Sequence, residues 1–460
     1  MSGKQKLLRF AVVIAAVIIV YSLSDGLKPE MRLTLTLLIM ASSLWVTEAI
    51  PLAATSLLVA LFQPLLGIQN FSHALSYFFD PIVVLLLGGF LLARTVEKQD
   101  LDEVFANKIV RRFGVDPKMV VLGLMFATAF LSMWISNTAS TALMITLALR
   151  LTTEVRDKNG NFAKITVLAI AYSATAGGLA TLIGTPSNAM AAGFLKDTID
   201  YSLTFLGWSL YGIPIAVLSI FTIWMLLFKV FPTDVKTIQS PDKQEKPLTR
   251  KQKLTLAIFV IAVVLWFSGQ LPEPLADLLG WSGHGLTSGM VAILVAVALF
   301  LTGLLDENDL SKIGWGTLLL IGGGLSLGSA LEVSGLTKWI GESITSFSGV
   351  GSPVVLVFLL GFSALGFSII ASNTASASIF IPIAISAGIA SDFNPVILAI
   401  LVSICSNLDF MLPIGTPPNA IAYSTGKVKM QEMVKTGLLL DILCCLLTIS
   451  MALTIWSLLI

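Results

Sequence analysis

The chain has 460 residues, of which 56% are apolar and 12% charged, and its net charge is +1. Its mean hydropathy is +0.90. Soluble domains carry about 45–50% apolar and about 25% charged residues, so a soluble enzyme, a disordered chain and a nucleic-acid binder are excluded. At roughly 20 residues per crossing, the apolar share suffices for about eleven transmembrane helices. Cys405, Cys444 and Cys445 all lie in apolar stretches and outline neither a disulfide nor a zinc framework.

The N-terminus, MSGKQKLLRF, is basic and leads into an apolar run that continues to Val20. No small-residue cleavage site follows, so a retained first helix is expected near 8–24. Further spans are expected near 32–48, 51–68 and 79–97. The charged, amphipathic stretch EKQDLDEVFANKIVRRF is too polar to span and reads as an interfacial helix. A long apolar segment, 119–150, is broken at Trp134-Ile135-Ser136-Asn137-Thr138. Spans near 163–194, interrupted at Gly184-Thr185-Pro186, and near 206–230 complete the first half, 1–231.

The polar stretch 232–253 reads as a cytoplasmic linker. The second half, 254–460, repeats the plan with spans near 254–271, 286–305 and 314–331. A surface segment, TKWIGESITSF, follows. Next comes a segment, 353–389, broken at Ser372-Asn373-Thr374. Spans near 394–423, interrupted at Gly415-Thr416-Pro417, and near 434–458 end the chain.

One helix over 119–150 would be about 48 Å long, yet two arms would each be short for a hydrocarbon core of about 30 Å. A re-entrant hairpin fits better, with its non-helical tip buried in protein or beside a cavity. The same holds for 353–389. With both hairpins and a cytoplasmic N-terminus, Lys28, Arg32, Lys196 and Lys338 fall outside and the rest of the 28 basic residues fall inside. The expected fold is therefore an all-α polytopic membrane protein of eleven crossings and two hairpins. Its C-terminus is extracytoplasmic.

The halves also match in sequence. SNTASTALMITLAL (136–149) parallels SNTASASIFIPIAI (372–385), and GTPSNAMA (184–191) parallels GTPPNAIA (415–422). Five predicted crossings separate the hairpins, an odd number, so the repeats are inverted. Inverted repeats with paired broken helices point to a secondary transporter whose site lies near the midplane.

At each SNT tip, free backbone amides and a positive helix end suit an anion, and Asn137, Thr138, Asn373 and Thr374 add side-chain donors. Carbonyls and Ser or Asn oxygens nearby suit a hard cation such as Na⁺. Neither motif holds Lys or Arg, so bound Na⁺ would supply the missing countercharge. Gly88-Gly89 and Gly322-Gly323-Gly324 read as close-packing points, and His73 and His284 as loop residues without function. Glu48 and Asp80 fall near helix ends, and Arg94 can reach the cytoplasmic surface. Asp409 differs, because it sits inside an apolar span six residues before Gly415. A role in cation or proton coupling stands there beside a structural hydrogen-bonding role.

On Trp45-Val46-Thr47-Glu48-Ala49-Ile50-Pro51-Leu52, both SNT motifs, both GTP breaks and the run Phe410–Ala420, the chain resembles the divalent anion/sodium symporter family over nearly its whole length. The resemblance implies a homodimer in which each protomer has a scaffold part and an elevator-like transport part. It also implies a first Na⁺ site at Ser132, Ser136, Asn137 and Gly184. A second is implied at Ser368, Ala371, Asn373 and Gly415. Substrate carboxylates would meet Asn137, Thr138, Asn373 and Thr374, with Thr416 and Pro417 close by. The chain departs from the family motif at Asn407-Leu408-Asp409.

The expected activity is Na⁺-coupled symport of C4 dicarboxylates such as succinate, fumarate and malate. It would run across the cell membrane, with lipid, Na⁺ and a second protomer as partners. A Na⁺-independent dicarboxylate exchanger and a Na⁺-coupled transporter of sulfate or another inorganic anion are the alternatives. Intact cation motifs favour the symporter, because an exchanger could replace those ligands with basic residues. An intramembrane hydrolase would need a nucleophile or metal motif, and neither HExxH nor GxSG is present. An ion channel would not need inverted broken helices with paired anion-binding tips.

Overall fold

The structure is a computed structural model that describes residues 3–153, 155, 157, 159–238, 247–271, 273–347 and 352–458. Residues 239–246 of the expected linker lie outside these. The described residues are helical and contain no strand. The first half runs α1 (Gly3–Leu23), α2 (Pro29–Thr47), α3 (Leu52–Leu65), α4 (Phe71–Ser76), α5 (Pro81–Lys98), α6 (Leu101–Val110), α7 (Pro117–Ser132), α8 (Asn137–Thr153), α9 (Asn161–Gly178), α10 (Pro186–Ile199) and α11 (Phe205–Val230). The second runs α12 (Arg250–Ser268), α13 (Glu273–Leu279), α14 (Ser288–Leu301), α15 (Glu307–Leu310), α16 (Trp315–Val333), α17 (Leu336–Phe347), α18 (Pro353–Ile370), α19 (Asn373–Ala390), α20 (Pro395–Cys405), α21 (Pro417–Ser424) and α22 (Met430–Leu453).

Local sequence explains many of these starts. Proline follows the cap at α5, α7, α10, α18, α20 and α21, where its missing N–H costs nothing and its φ is already helical. At α5, Asp80 accepts from the Ile82 amide at 2.8 Å, and at α7, Asp116 accepts from Met119 at 3.0 Å. Thr249 and Gln252 form a capping box at α12. By length and composition, eight of the described helical stretches are long and apolar enough to cross a membrane. Shorter apolar helices include α3, α7, α14 and α20.

The two halves interlock rather than sit side by side. Helix α5 packs on α14 of the other half, and α16 packs on α3. Glycine permits both crossings: a Cβ on Gly88 would meet Ala292 of α14, and one on Gly323 would meet Ser56 of α3. Gly322 and Gly324 likewise press on Phe78 and Met190. These glycines serve close packing, as their placement in apolar spans predicts. The amphipathic surface segments become α6 and α17, at matching places in the two halves.

The breaks are where sequence and structure part in detail. Both SNT motifs start a helix, with short turns at 133–136 and 371–372 before them. The first GTP break covers 179–185, starting earlier than the expected Gly184-Thr185-Pro186, with Pro186 already the first residue of α10. The second is longer: α20 ends at Cys405 and α21 begins at Pro417. Asp409 therefore lies in the non-helical break, not inside an apolar helix. Asn407 and Asp409, which form their own local hydrogen bonds readily, compete with helical continuation there.

At one end of the α5–α16 pair, the short helix α15 is held by charge. Asp309 accepts from Lys98 Nζ at 2.5 Å and from Arg94 Nε at 3.2 Å, and Lys98 also reaches Asp306 at 3.0 Å. Burial pushes the Asp309 carboxyl up, but hydrogen bonds from Lys98, the Asp306 amide and Arg94 outweigh it and bring it down to about 2. A depressed carboxyl stabilises the fold above its unfolded value of about 4 and loses that contribution as pH falls toward about 2. Asp309→Asn should therefore destabilise the protein by about 1–3 kcal/mol at neutral pH. The gap from wild type, read as thermal melting in detergent, should close as pH falls through that window. A gap that stays constant with pH would show that the pair does not carry this stability.

Candidate functional site

The helix breaks converge on one cavity of about 310 Å³. Its walls are Phe90, residues 134–138 and 183–186, Thr317, residues 372–374, Asn407 and residues 415–418. Both SNT and both GTP motifs are thus brought together from opposite halves of the chain. Ser187 Oγ donates to the Asn373 carbonyl at 3.5 Å, linking the first break to the second tip.

Four helices begin at this cavity: α8 at Asn137, α19 at Asn373, α10 at Pro186 and α21 at Pro417. Each presents the positive end of its dipole and amides that lack an intrahelical partner. Ser372 caps α19 by accepting from Ala375 at 3.1 Å, and Thr416 caps α21 by accepting from Asn419 at 3.3 Å. The Thr185 hydroxyl, at the matching place on α10, has no partner among the described residues. Among the described residues, no Lys, Arg, Asp or Glu lines the walls. The site is electropositive by backbone geometry alone, which is the arrangement helix N-termini use to hold anions.

Behind each tip lies a matching knot of oxygens. Ser132 Oγ stands 2.6 Å from both the Asn137 side-chain oxygen and the Ala174 carbonyl. In the second half, Ser368 Oγ stands 2.8 Å from the Asn373 side-chain oxygen and 2.5 Å from the Ser406 carbonyl. A serine hydroxyl has one proton for two acceptors. Each knot is therefore rich in acceptors, and such a cluster of neutral oxygens suits a hard monovalent cation.

The breaks themselves are clamped by asparagine. Asn188 Nδ2 donates to the Gly178 carbonyl at 2.9 Å and the Thr181 carbonyl at 2.8 Å. Asn419 Nδ2 donates to the Asp409 and Leu412 carbonyls, both at 3.0 Å. Gly184 and Gly415 lie inside the loops so clamped. A Cβ at Gly184 would collide with the Gly178 carbonyl, and one at Gly415 with the Asp409 carboxylate.

All six residues expected at the substrate, Asn137, Thr138, Asn373, Thr374, Thr416 and Pro417, line the cavity. Of the residues expected at cations, Ser136, Asn137, Gly184, Asn373 and Gly415 line it too, while Ser132, Ser368 and Ala371 are buried just behind. Asp409 is buried and does not line the cavity; its carboxylate lies against Gly415. Sequence reasoning missed Phe90, Thr317 and Asn407 on the walls and the clamping role of Asn188 and Asn419. It also missed Asp441, fully buried on α22. An acid near the middle of a 24-residue apolar helix was the available signal.

Comparison with known proteins fits this geometry. The model of the sodium:sulfate symporter transmembrane region matches residues 4–460. A sodium-dependent dicarboxylate transporter, SdcS, from Staphylococcus saprophyticus is 32% identical over 446 residues, covering 91% of this chain and 85% of that protein. The SdcS of Staphylococcus aureus strain USA300 is 33% identical over 433 residues, with 88% and 82% covered. An uncharacterized transporter of Haemophilus influenzae is 36% identical over 434 residues, with 93% of each chain covered. Among solved structures, the YdaH transporter of Alcanivorax borkumensis superposes with a TM-score of 0.59 at 14% identity, covering 85% of this chain and 87% of that one. MtrF of Neisseria gonorrhoeae superposes with a TM-score of 0.57 at 14% identity, covering 85% and 83%. These two likenesses bear on the fold. A family match over nearly the whole chain, with relatives above 30% identity along most of their length, leaves one assignment: the chain belongs to the sodium:sulfate symporter family and is a multi-pass membrane transporter, not an enzyme.

Proposed function

We propose that this protein is a Na⁺-coupled symporter of C4 dicarboxylates such as succinate, fumarate and malate, working by an elevator motion of its hairpins and broken helices. The observation that carries the reading is the uncharged cavity framed by two SNT tips and flanked by two oxygen knots. Two tips offer one set of donors to each carboxylate of a short diacid. The SdcS relatives, named as sodium-dependent dicarboxylate transporters, support the same substrate class.

The absence of a basic side chain on the walls makes the cations integral to binding. A dianion surrounded only by amides and hydroxyls is incompletely compensated, and Na⁺ at the knots beside Asn137 and Asn373 would complete it. Na⁺ and substrate then favour each other's binding, which is the linkage a symporter requires. At least two Na⁺ sites follow: Ser132, Ser136, Asn137 and Gly184 in the first half, and Ser368, Ala371, Asn373 and Gly415 in the second. The reading includes eleven crossings, two re-entrant hairpins, a cytoplasmic N-terminus and an extracytoplasmic C-terminus in the plasma membrane. The homodimer and the scaffold and transport parts are carried over from the family resemblance.

Labelled succinate uptake into proteoliposomes, with and without an inward Na⁺ gradient and with excess sulfate, tests the proposal. Uptake should require Na⁺ and ignore sulfate. Uptake that needs internal dicarboxylate but no Na⁺ would make the protein an exchanger, and sulfate uptake without succinate uptake would move the substrate to inorganic anions.

In the same assay Asn137→Ala and Asn373→Ala should each cut the rate at least about tenfold, the scale of one lost polar contact to a charged group. Gly415→Ala should do the same with the cavity-lining side chains intact, because its Cβ displaces the Asp409 carboxylate. Normal transport by both asparagine variants would show that the site is elsewhere.

A further inference from the structure

Behind the second break, on the side away from the cavity, lies a polar cluster that transport through the tips does not use. Asp409 and Asp441 are both fully buried. Asp441 Oδ1 accepts from the Phe410 amide at 2.8 Å, which brings α22 against the residue next to Asp409. Its Oδ2 and both Asp409 oxygens accept no well-formed hydrogen bond among the described residues, although the Met411 amide acts on the Asp441 carboxylate and the Leu412 amide on that of Asp409. The two acids lie within electrostatic reach of each other.

Two neutral side-chain oxygens on the adjoining elements are also unpartnered among the described residues. Tyr172 of α9 is fully buried and packs its ring edge-to-face on Phe410, with centroids 5.1 Å apart. Its hydroxyl bonds to nothing described and feels both carboxylates. Asn419 is fully buried, spends its amide nitrogen on the Asp409 and Leu412 carbonyls, and leaves its side-chain oxygen unbonded. Among the described residues, no basic group acts on either acid. Lys164, two turns before Tyr172, is paired with Glu432 at 2.6 Å.

The internal repeat shows what is added here. In the first half Gly178 holds the place of Asp409, since Asn188 clamps its carbonyl as Asn419 clamps that of Asp409. Gly212 of α11 and Gly437 of α22 press on equivalent backbone, at Leu179 and at Phe410. Four residues beyond each glycine stand Ala216 and Asp441. The Asn188 side-chain oxygen faces Ser403 at 3.4 Å, and in the same register Tyr172 holds the place equivalent to Ser403. Both acids are thus present in one half and both are missing from the other. Two buried carboxylates without a basic partner are costly unless a cation or a proton joins them.

We propose that Asp409 and Asp441, with the Tyr172 hydroxyl and the Asn419 side-chain oxygen, bind a monovalent hard cation, Na⁺, at a site additional to the two at the hairpin tips. The donor set is all oxygen, and the described residues group no three His, Cys, Asp or Glu side chains as a transition-metal site would. The cation joins the break to α22 and offsets one of the pair's two negative charges. The identity of the ion rests on the Na⁺-coupled reading above.

Equilibrium binding of radioactive Na⁺ to the purified full-length protein, without dicarboxylate, tests this directly. Asp409→Asn and Asp441→Asn should each bind one Na⁺ fewer per protomer than wild type. Tyr172→Phe keeps the ring against Phe410 and should weaken that ion about tenfold, as expected for one lost polar ligand. If the asparagine variants do not fold, Tyr172→Phe decides, and unchanged Na⁺ affinity there overturns the proposal. Folded asparagine variants with wild-type stoichiometry and affinity also overturn it, while sodium coupling at the tips stands. A wild-type protein that binds no Na⁺ overturns both this site and the sodium reading itself.

Discussion

Backbone that leaves a helix inside an apolar interior must find donors for its carbonyls, and here two asparagine amides supply them. Asn188 and Asn419 each bond two carbonyls of a broken helix. An unmet buried carbonyl costs about 1–3 kcal/mol, so a break without its clamp would tend to close into continuous helix or to be excluded from the interior. With the breaks held open, α10 and α21 begin deep in the protein with their positive ends toward a shared cavity. The two SNT turns do the same for α8 and α19. Everything proposed about anion binding follows from the placement of these four helix ends.

That placement has an electrostatic consequence. A cavity built from dipoles and hydroxyls attracts an anion without committing a fixed positive charge, whereas a lysine or arginine would bind the anion whether or not a cation were present. Leaving the countercharge to mobile ions makes occupancy by anion and cation interdependent. The oxygen knots at Ser132 and Ser368, one hydroxyl between two acceptors in each, sit where such ions would be most effective.

Much of this was legible in the sequence because the constraint leaves a local signature. A Gly-Thr-Pro-x-Asn run contains the glycine that admits close backbone, the cap and proline that start the next helix, and the asparagine that clamps the break. Its recurrence in each half, paired with SNT, located the cavity and most of its walls. What the sequence hid depends on partners distant along the chain. Phe90 and Thr317 reach the cavity only because α5 and α16 pack across the halves, and neither carries a motif. The extent of the second break was also hidden, since Asn407 and Asp409 weaken a helix without marking where it ends, at Cys405. Asp441 escaped notice because its importance arises from Asp409, which approaches it only through that longer break.

The central claim is that the cavity cannot hold a dicarboxylate well without bound cations. Calorimetric titration of succinate into the purified protein, in Na⁺ and then in choline of equal ionic strength, tests it most directly. The account predicts at least about tenfold tighter binding in Na⁺, the lower range of coupling between linked sites, with affinity rising as Na⁺ is raised. Equal succinate affinity in Na⁺ and choline would contradict it, because the helix ends alone would then suffice.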